Sequence, residues 1–406
     1  MDCATEITTA TAETTTPDPV VNVSGGRLAV AAKASLRARV IGELERAGFI
    51  YDGALLALPD TDDPKEQARR LHANHRRAVL ARNAKFLQKW EDRLLPAFAD
   101  GADVDPRAIR PVVVPVESEE DAALFRMASL HWSVPVSQGY GRRTRFLVRD
   151  DSNGKLLGIF ALGDPVFNLS VRDRLIGWTH HQRQERLYNV FDAYVLGAVE
   201  PYRDLIGGKL VALCAIADET AAFIEAKYEG TKTVIRGDEK SAAPVLVTTT
   251  SSLGRSSVYQ RLKYRDRWAY KSIGFTEGFG HFHFSEDLFA EMVAYLKDRG
   301  FDASNHQYGE GPNWRIRTLR RALEELGLEG DLLRHGIRRE VFIAPRALGW
   351  RAFLRGESDY LRWFQFPTED LGAYWRDRWA IPRAARLDRF RAHRRDAMRL
   401  TPLLET

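Results

Sequence analysis

The stretch RTRFLVRDDSNGKLLGIFAL, residues 143–162, decides the fold class. From Arg143 to Arg149 polar and apolar side chains alternate, the period of a strand with one buried face. Lys155 to Leu162 is apolar enough for a buried strand. Between them Asp151-Ser152-Asn153-Gly154 has turn chemistry, because Asn and Gly accept the backbone angles of a tight reversal. The spacing predicts an antiparallel hairpin at the start of a sheet core.

Upstream, Val112 to Val114 between prolines reads as a short strand, and Ser118 caps a helix through about Leu130. Farther back, Ser35 is placed to cap an amphipathic helix that Gly48 ends. Asp63, Pro64 and Glu66 form a helix start, and that helix should run to about Leu95. It carries Lys65, Arg69, Arg70, His72, His75, Arg76, Arg77, Arg82 and Lys85, read as a solvated face or as contacts to a phosphate backbone.

Downstream, residues 171–178 (VRDRLIGW) read as a loop motif and 189–200 (NVFDAYVLGAVE) as a strand. Leu205 to Tyr228 reads as one long helix, apolar almost all round and therefore buried. Val245 to Thr249 gives a strand, and residues 251–264 a Gly/Ser loop running into a helix. Residues 270–284 (YKSIGFTEGFGHFHF) read as a glycine-punctuated strand pair, followed by helices at Glu286 to Lys297, capped by Ser285, and Trp314 to Leu326. The fold class is α/β, a mixed central sheet with flanking helices and helical extensions at both ends. Its expected divisions are a disordered leader at 1–33, a basic helical region at 34–100, the core at 108–300 and a helical Arg/Trp-rich region at 301–406.

The 406 residues are 44% hydrophobic and 28% charged, an ordinary globular balance. No run of about 18 apolar residues is available to span a bilayer, and the leader lacks the basic start and apolar stretch of an export signal. Two cysteines, Cys3 and Cys214, exclude a disulfide framework or a Cys-rich zinc site and fit a cytoplasmic protein. The net charge of +5 favours anionic partners. Serine-hydrolase elbows, HExxH and CxxC are missing, and no metal site is expected.

Two segments read as phosphate-binding turns. In YRDLIGGKL, residues 202–210, Gly207 and Gly208 expose backbone N–H groups near a helix start, with Tyr202, Arg203 and Lys209 beside them. The competing reading is close helix-to-strand packing. In TTTSSLGRSS, residues 248–257, Ser251, Gly254, Arg255, Ser256 and Ser257 form a cradle ahead of the expected helix, or only an elaborate cap. Arg172, Asp173 and Trp178 would orient and stack on a substrate, or form a buried ion pair. His281 and His283 share one face of the expected strand as general-base candidates, and Asp192 near a strand end is the retained acid/base carboxylate.

RDRLIGW (172–178), DAYVLGAVEPY (192–202), GGKL (207–210), TTTSSLGRSSVYQRL (248–262) and GFTEGFGHFHF (274–284), in this order, resemble the DruA family of the Druantia anti-phage system. LRRALEELGL (319–328) and LLRHGIRREVFIAP (332–345) extend the resemblance, which covers about residues 36–355. It implies a prokaryotic defence or mobile-element context, with other defence-system proteins as partners. At the level of fold, the element order is similar to the GNAT superfamily of N-acetyltransferases. The pyrophosphate loop of that superfamily reads [QR]xxGx[GA], where this chain has RDLIGG (203–208) with Ile206 at the first glycine. The expected function is a defence protein whose acyltransferase-like core binds a phosphate-bearing ligand, DNA or RNA foremost. The alternatives are an acyl-CoA- or aminoacyl-donor-dependent N-acyltransferase acting on a small amine, and a non-catalytic protein-binding scaffold. No cofactor is identified.

Overall fold

A seven-stranded mixed sheet organises the chain. The structure, a computed structural model, describes residues 23–53, 56–134, 136, 141–232, 237, 239, 241–301, 314–328 and 331–404. The strands are β1 (Pro111–Pro115), β2 (Arg143–Asp150), β3 (Lys155–Gly163), β4 (Val190–Ala198), β5 (Leu246–Thr250), β6 (Lys271–Phe275) and β7 (Glu340–Pro345). Their spatial order is β6-β7-β5-β4-β3-β2-β1. All neighbours pair antiparallel except β4 and β5, which run parallel.

The hairpin forms where the sequence places it, with Arg143 opposite Gly163 and Asp150 opposite Lys155. Asp150 is buried and fixes the turn: its Oδ1 accepts from the N–H of Arg110 and of Ser152, each at 3.0 Å. β3 is an interior strand, buried on both faces. On one face Phe146, Leu157, Phe160 and Phe191 pack with the helix α6 given below. On the other, Leu147, Ile159 and Val195 meet the helices that precede and follow β1.

The helices used here are α1 (Val23–Arg46), α2 (Pro64–Arg82), α3 (Ala84–Leu94), α4 (Glu119–Leu130), α5 (Ser170–Ile176), α6 (Gly207–Cys214), α7 (Asp218–Tyr228), α8 (Glu286–Asp298), α9 (Trp314–Glu325) and α10 (Thr368–Trp375). Asp63, Ser118 and Ser285 cap α2, α4 and α8 as expected, each side chain accepting from a first-turn N–H. Residues of α1, α8 and α9, among them Leu44, Met292 and Leu323, build a separate apolar cluster. Among the described residues no helix is long and apolar enough to cross a membrane.

Several boundaries differ from expectation. Residues 1–22 of the expected leader lie outside the described residues, but 23–33 belong to α1, where the Ala- and Leu-containing run favours helix. The helix expected from 64 to 95 breaks at Asn83, whose Nδ2 donates to the Val79 carbonyl and whose Oδ1 accepts from Arg126. VRDRLIGW holds the short helix α5, ended by Gly177 at φ 81°. The expected helix from Leu205 to Tyr228 is two helices, parted at residues 215–217, where the Thr220 hydroxyl takes the Cys214 carbonyl at 2.7 Å.

No helix follows the Gly254 loop. The chain turns through Arg261, at φ 56°, into a short ribbon at residues 263–268. The second half of 270–284 also leaves the sheet, because Gly278 at φ 72° turns the chain against Gly336.

Candidate functional site

The parallel pair β4 and β5 stays in register only from Val190 opposite Leu246 to Asp192 opposite Thr248. Beyond that point β4 keeps its bonds to β3 and β5 keeps its bonds to β7, so the two strands part. A cavity of about 180 Å³ opens between them. It lies outside the carboxyl ends of the parallel pair, where open α/β sheets bind their ligands.

Asp192 stands at the vertex of this cleft. Burial raises its carboxyl to about 6, against the opposing effects of the Thr248 hydrogen bond, 2.9 Å long, and of Arg172 and Arg143. One wall carries Tyr194 and Trp132. Gly197 lets the indole pack closely on β4, since a Cβ there would come within 2.7 Å of the ring. The Arg143 guanidinium sits 4.1 Å from the centre of the Tyr194 ring.

The opposite wall carries Thr250, Ser252, Tyr259 and Arg339. Tyr259 packs between Tyr270 and Phe342, and burial pushes its phenol up to about 12. Arg339 precedes β7. Its Nη2 lies 3.3 Å from His72 Nε2, its buried Nε has no partner, and burial alone holds its pKa down. Glu340, the next residue, spends its Oε1 on Gln260 and Ser272 instead.

Of the acid/base candidates, only Asp192 lines the cleft. His281 and His283 do not share a strand face, because the chain has already left the sheet. Burial lowers His283 to about 4, and its Nε2 lies 2.8 Å from the Leu332 carbonyl.

The YRDLIGGKL turn is occupied by its own chain. The buried Tyr202 hydroxyl donates to Asp150 Oδ2 at 3.0 Å, and Arg203 pairs with Glu200. A Cβ on Gly207 would lie 2.7 Å from the Tyr202 carbonyl oxygen, and one on Gly208 3.2 Å from Val258. The ammonium of Lys209 donates to the carbonyls of Val258 and Gln260, and burial brings it down to about 8.

In the second turn, the Ser251 N–H is bonded to the Glu340 carbonyl and Ser256 Oγ accepts from the Val258 N–H. Gly254 adopts φ 72°, and Arg255 and Ser257 are exposed. With no helix behind it, this loop offers no helix N-terminus to a ligand. Arg172 is fully buried, bonded to Asp173 and to the carbonyls of Val166 and Phe167, while Trp178 donates to the Leu354 carbonyl. These three residues hold α5 against its surroundings.

Sequence reasoning missed Arg339 and Trp132. Arg338 and Arg339 are adjacent in sequence, and only the pairing of β7 with β5 and β6 distinguishes them.

The sequence matches the family model described as Druantia protein DruA over residues 62–356. It is similar to a Druantia protein DruA of Escherichia coli (strain UMEA 4076-1), 43% identical over 366 residues that span 88% of this chain and 89% of that one. No solved structure matches the chain.

Proposed function

Because this chain belongs to the DruA family, we propose that it serves in anti-phage defence by holding a phosphate-bearing ligand, nucleic acid foremost, in the cleft between β4 and β5. The observation that carries this reading is Arg339, a guanidinium in the cleft wall whose desolvation no carboxylate offsets. A desolvated, unpaired cation costs several kcal/mol, which an incoming phosphate would offset through charge-assisted hydrogen bonds. Thr250, Ser252 and Tyr259 add hydroxyl donors, and Trp132 and Tyr194 offer rings on which a base would stack.

A salt titration with single- and double-stranded DNA tests this. Affinity should fall steeply with salt, and Arg339→Ala should weaken it. No affinity at low ionic strength would sink the reading.

The strand order and Asp192 favour a second reading, acyl transfer. The mixed seven-stranded sheet with its central parallel pair supports an acyltransferase-like reading of the element order. Asp192, held near 6, would take the proton of an amine as its nitrogen attacks a thioester carbonyl, and Tyr259 would protonate the leaving thiolate. Lys209 and Gly208 are engaged with residues 258–260, so a pyrophosphate at that turn would have to displace them. Thermal stabilisation by acyl-CoA thioesters or aminoacylated RNA would favour this reading, and its absence from both would count against it.

A further inference from the structure

The inner face of α2 carries His72 and Arg76, one turn apart and so side by side. His72 is 2% exposed, and its ring stacks on Phe282 with centroids 4.2 Å apart. Its Nε2 meets Arg339. Arg76 is near enough to His131, which ends α4 beside Trp132, for its charge to act on that ring. Arg339 and Trp132 line opposite walls of the cleft, so α2 runs from one wall to the other.

Buried polar nitrogens in folded proteins nearly always have partners. Along this line His72 Nδ1, Arg76 Nε, His131 Nε2 and Arg339 Nε have none. The ionisable groups that act on the His72 and His131 rings are basic, Arg203 among them being paired with Glu200. Arg339, His75, His335 and His283 act on His72, and Arg76 and Arg203 on His131. Burial, with these neighbours, brings His72 down to about 3 and His131 to about 4, so both imidazoles stay neutral near pH 7. The His72 Nδ1–H and the two guanidinium Nε–H groups are donors left without a partner across a cleft, and His131, whose ring already donates to the Met398 carbonyl, joins them on protonation, so the set suits an anion.

We infer that His72, Arg76, His131 and Arg339 form one anion site closing this cleft, and that its ligand is the phosphate monoester of a nucleotide, at a single-strand end or free. The inference rests on the nucleic-acid reading above and narrows it. The cavity of about 180 Å³ is smaller than the roughly 300–1,000 Å³ of pockets that enclose drug-sized ligands, so a duplex stays outside and an end enters. A monoester carries a charge of about −1.5 to −2 and three strong acceptor oxygens, more charge than a backbone diester, and suits two guanidiniums flanked by imidazoles.

The test uses the full chain and fluorescence anisotropy of a short oligothymidylate bearing a 5′-phosphate, a 3′-phosphate or only hydroxyl ends, labelled at the end opposite the phosphate. Thymidine monophosphate serves as competitor. The expected result is about tenfold tighter binding of one phosphorylated end than of the hydroxyl-ended strand. Arg76→Gln and Arg339→Gln should erase that preference while the salt-dependent background persists, and Arg76→Lys should keep part of it. Competition by thymidine monophosphate below the strand's own midpoint would make the free nucleotide the ligand.

Equal affinity for phosphorylated and hydroxyl ends, with strands still bound, overturns this inference and leaves the nucleic-acid reading standing. No binding of any strand or of the monophosphate overturns both. The comparison of ends on the unaltered protein depends on no variant folding.

Discussion

The ammonium of Lys209 lies 2.7 Å from the carbonyl oxygen of Val258, so the cation that looks like a phosphate ligand in the sequence is a buried cross-link between α6 and the loop after β5. Lys209→Met should destabilise the protein by about 1–3 kcal/mol, since two carbonyls lose their donor. Its folded pKa, about 8, lies below the ordinary 10.5, so above pH 8 the unfolded chain binds more protons at this site and stability rises with pH. Urea unfolding from about pH 8 to 10 should show that slope, and the variant should lack it.

Asp192 titrates in the opposite sense. Its folded pKa is raised from 3.8 to about 6, so the folded state holds the extra proton. This stabilisation is present below about pH 4 and is lost as pH rises through 6. Asp192→Asn should remove this dependence and raise stability at neutral pH relative to the unaltered chain. Denaturation midpoints of the two proteins across that window provide the comparison. A parallel pH response in both would show that Asp192 does not carry the extra proton.

Arg339 is expected to trade stability for binding. Arg339→Met keeps the stem's packing and removes an unpaired, desolvated charge, so the free protein should gain about 1–2 kcal/mol. Nucleic-acid affinity should fall in the same variant. A loss of stability without loss of binding would make Arg339 a structural residue.

Gly197 is the seat of Trp132. Gly197→Ala puts a methyl against the indole and should cost about 1–3 kcal/mol by overpacking, with a change in tryptophan emission. Pairing it with Trp132→Leu should recover most of the loss, because the clash is between these two residues.

Anion binding should take up protons. His72 and His131 are neutral in the free protein, and a bound phosphate would favour their charged forms. Titrations near pH 7 in buffers of different ionisation enthalpy would count the protons taken up, with the monoester's own second ionisation, near about 6, subtracted from a titration of the free ligand. The uptake should shrink in His72→Gln.

The sequence by itself determined the sheet's first hairpin and the positions of several of its strands. The hairpin at 143–162, the strands at 112–114, 189–200 and 245–249, and the caps Asp63, Ser118 and Ser285 are local signals, set by side-chain alternation and by hydrogen bonds spanning three residues. Helix length was less legible. Asn83 breaks α2 from α3 because Arg126, distant in sequence, holds its side chain, and no local pattern encodes that partner.

The charged residues were legible as charge but not as role. Arg395 and Arg399 of the basic tail bind Asp100, Asp92 and Glu91 within the molecule, and Arg383 binds the Asp204 carbonyl. The site itself is a product of tertiary structure. The cleft exists because β4 and β5 part after three paired residues, and its walls bring together Trp132 and Arg339 from opposite ends of the core, with α2 between them. Local sequence fixes which backbone a segment prefers, whereas the partner that quenches or exposes a charge is fixed only when distant strands pair.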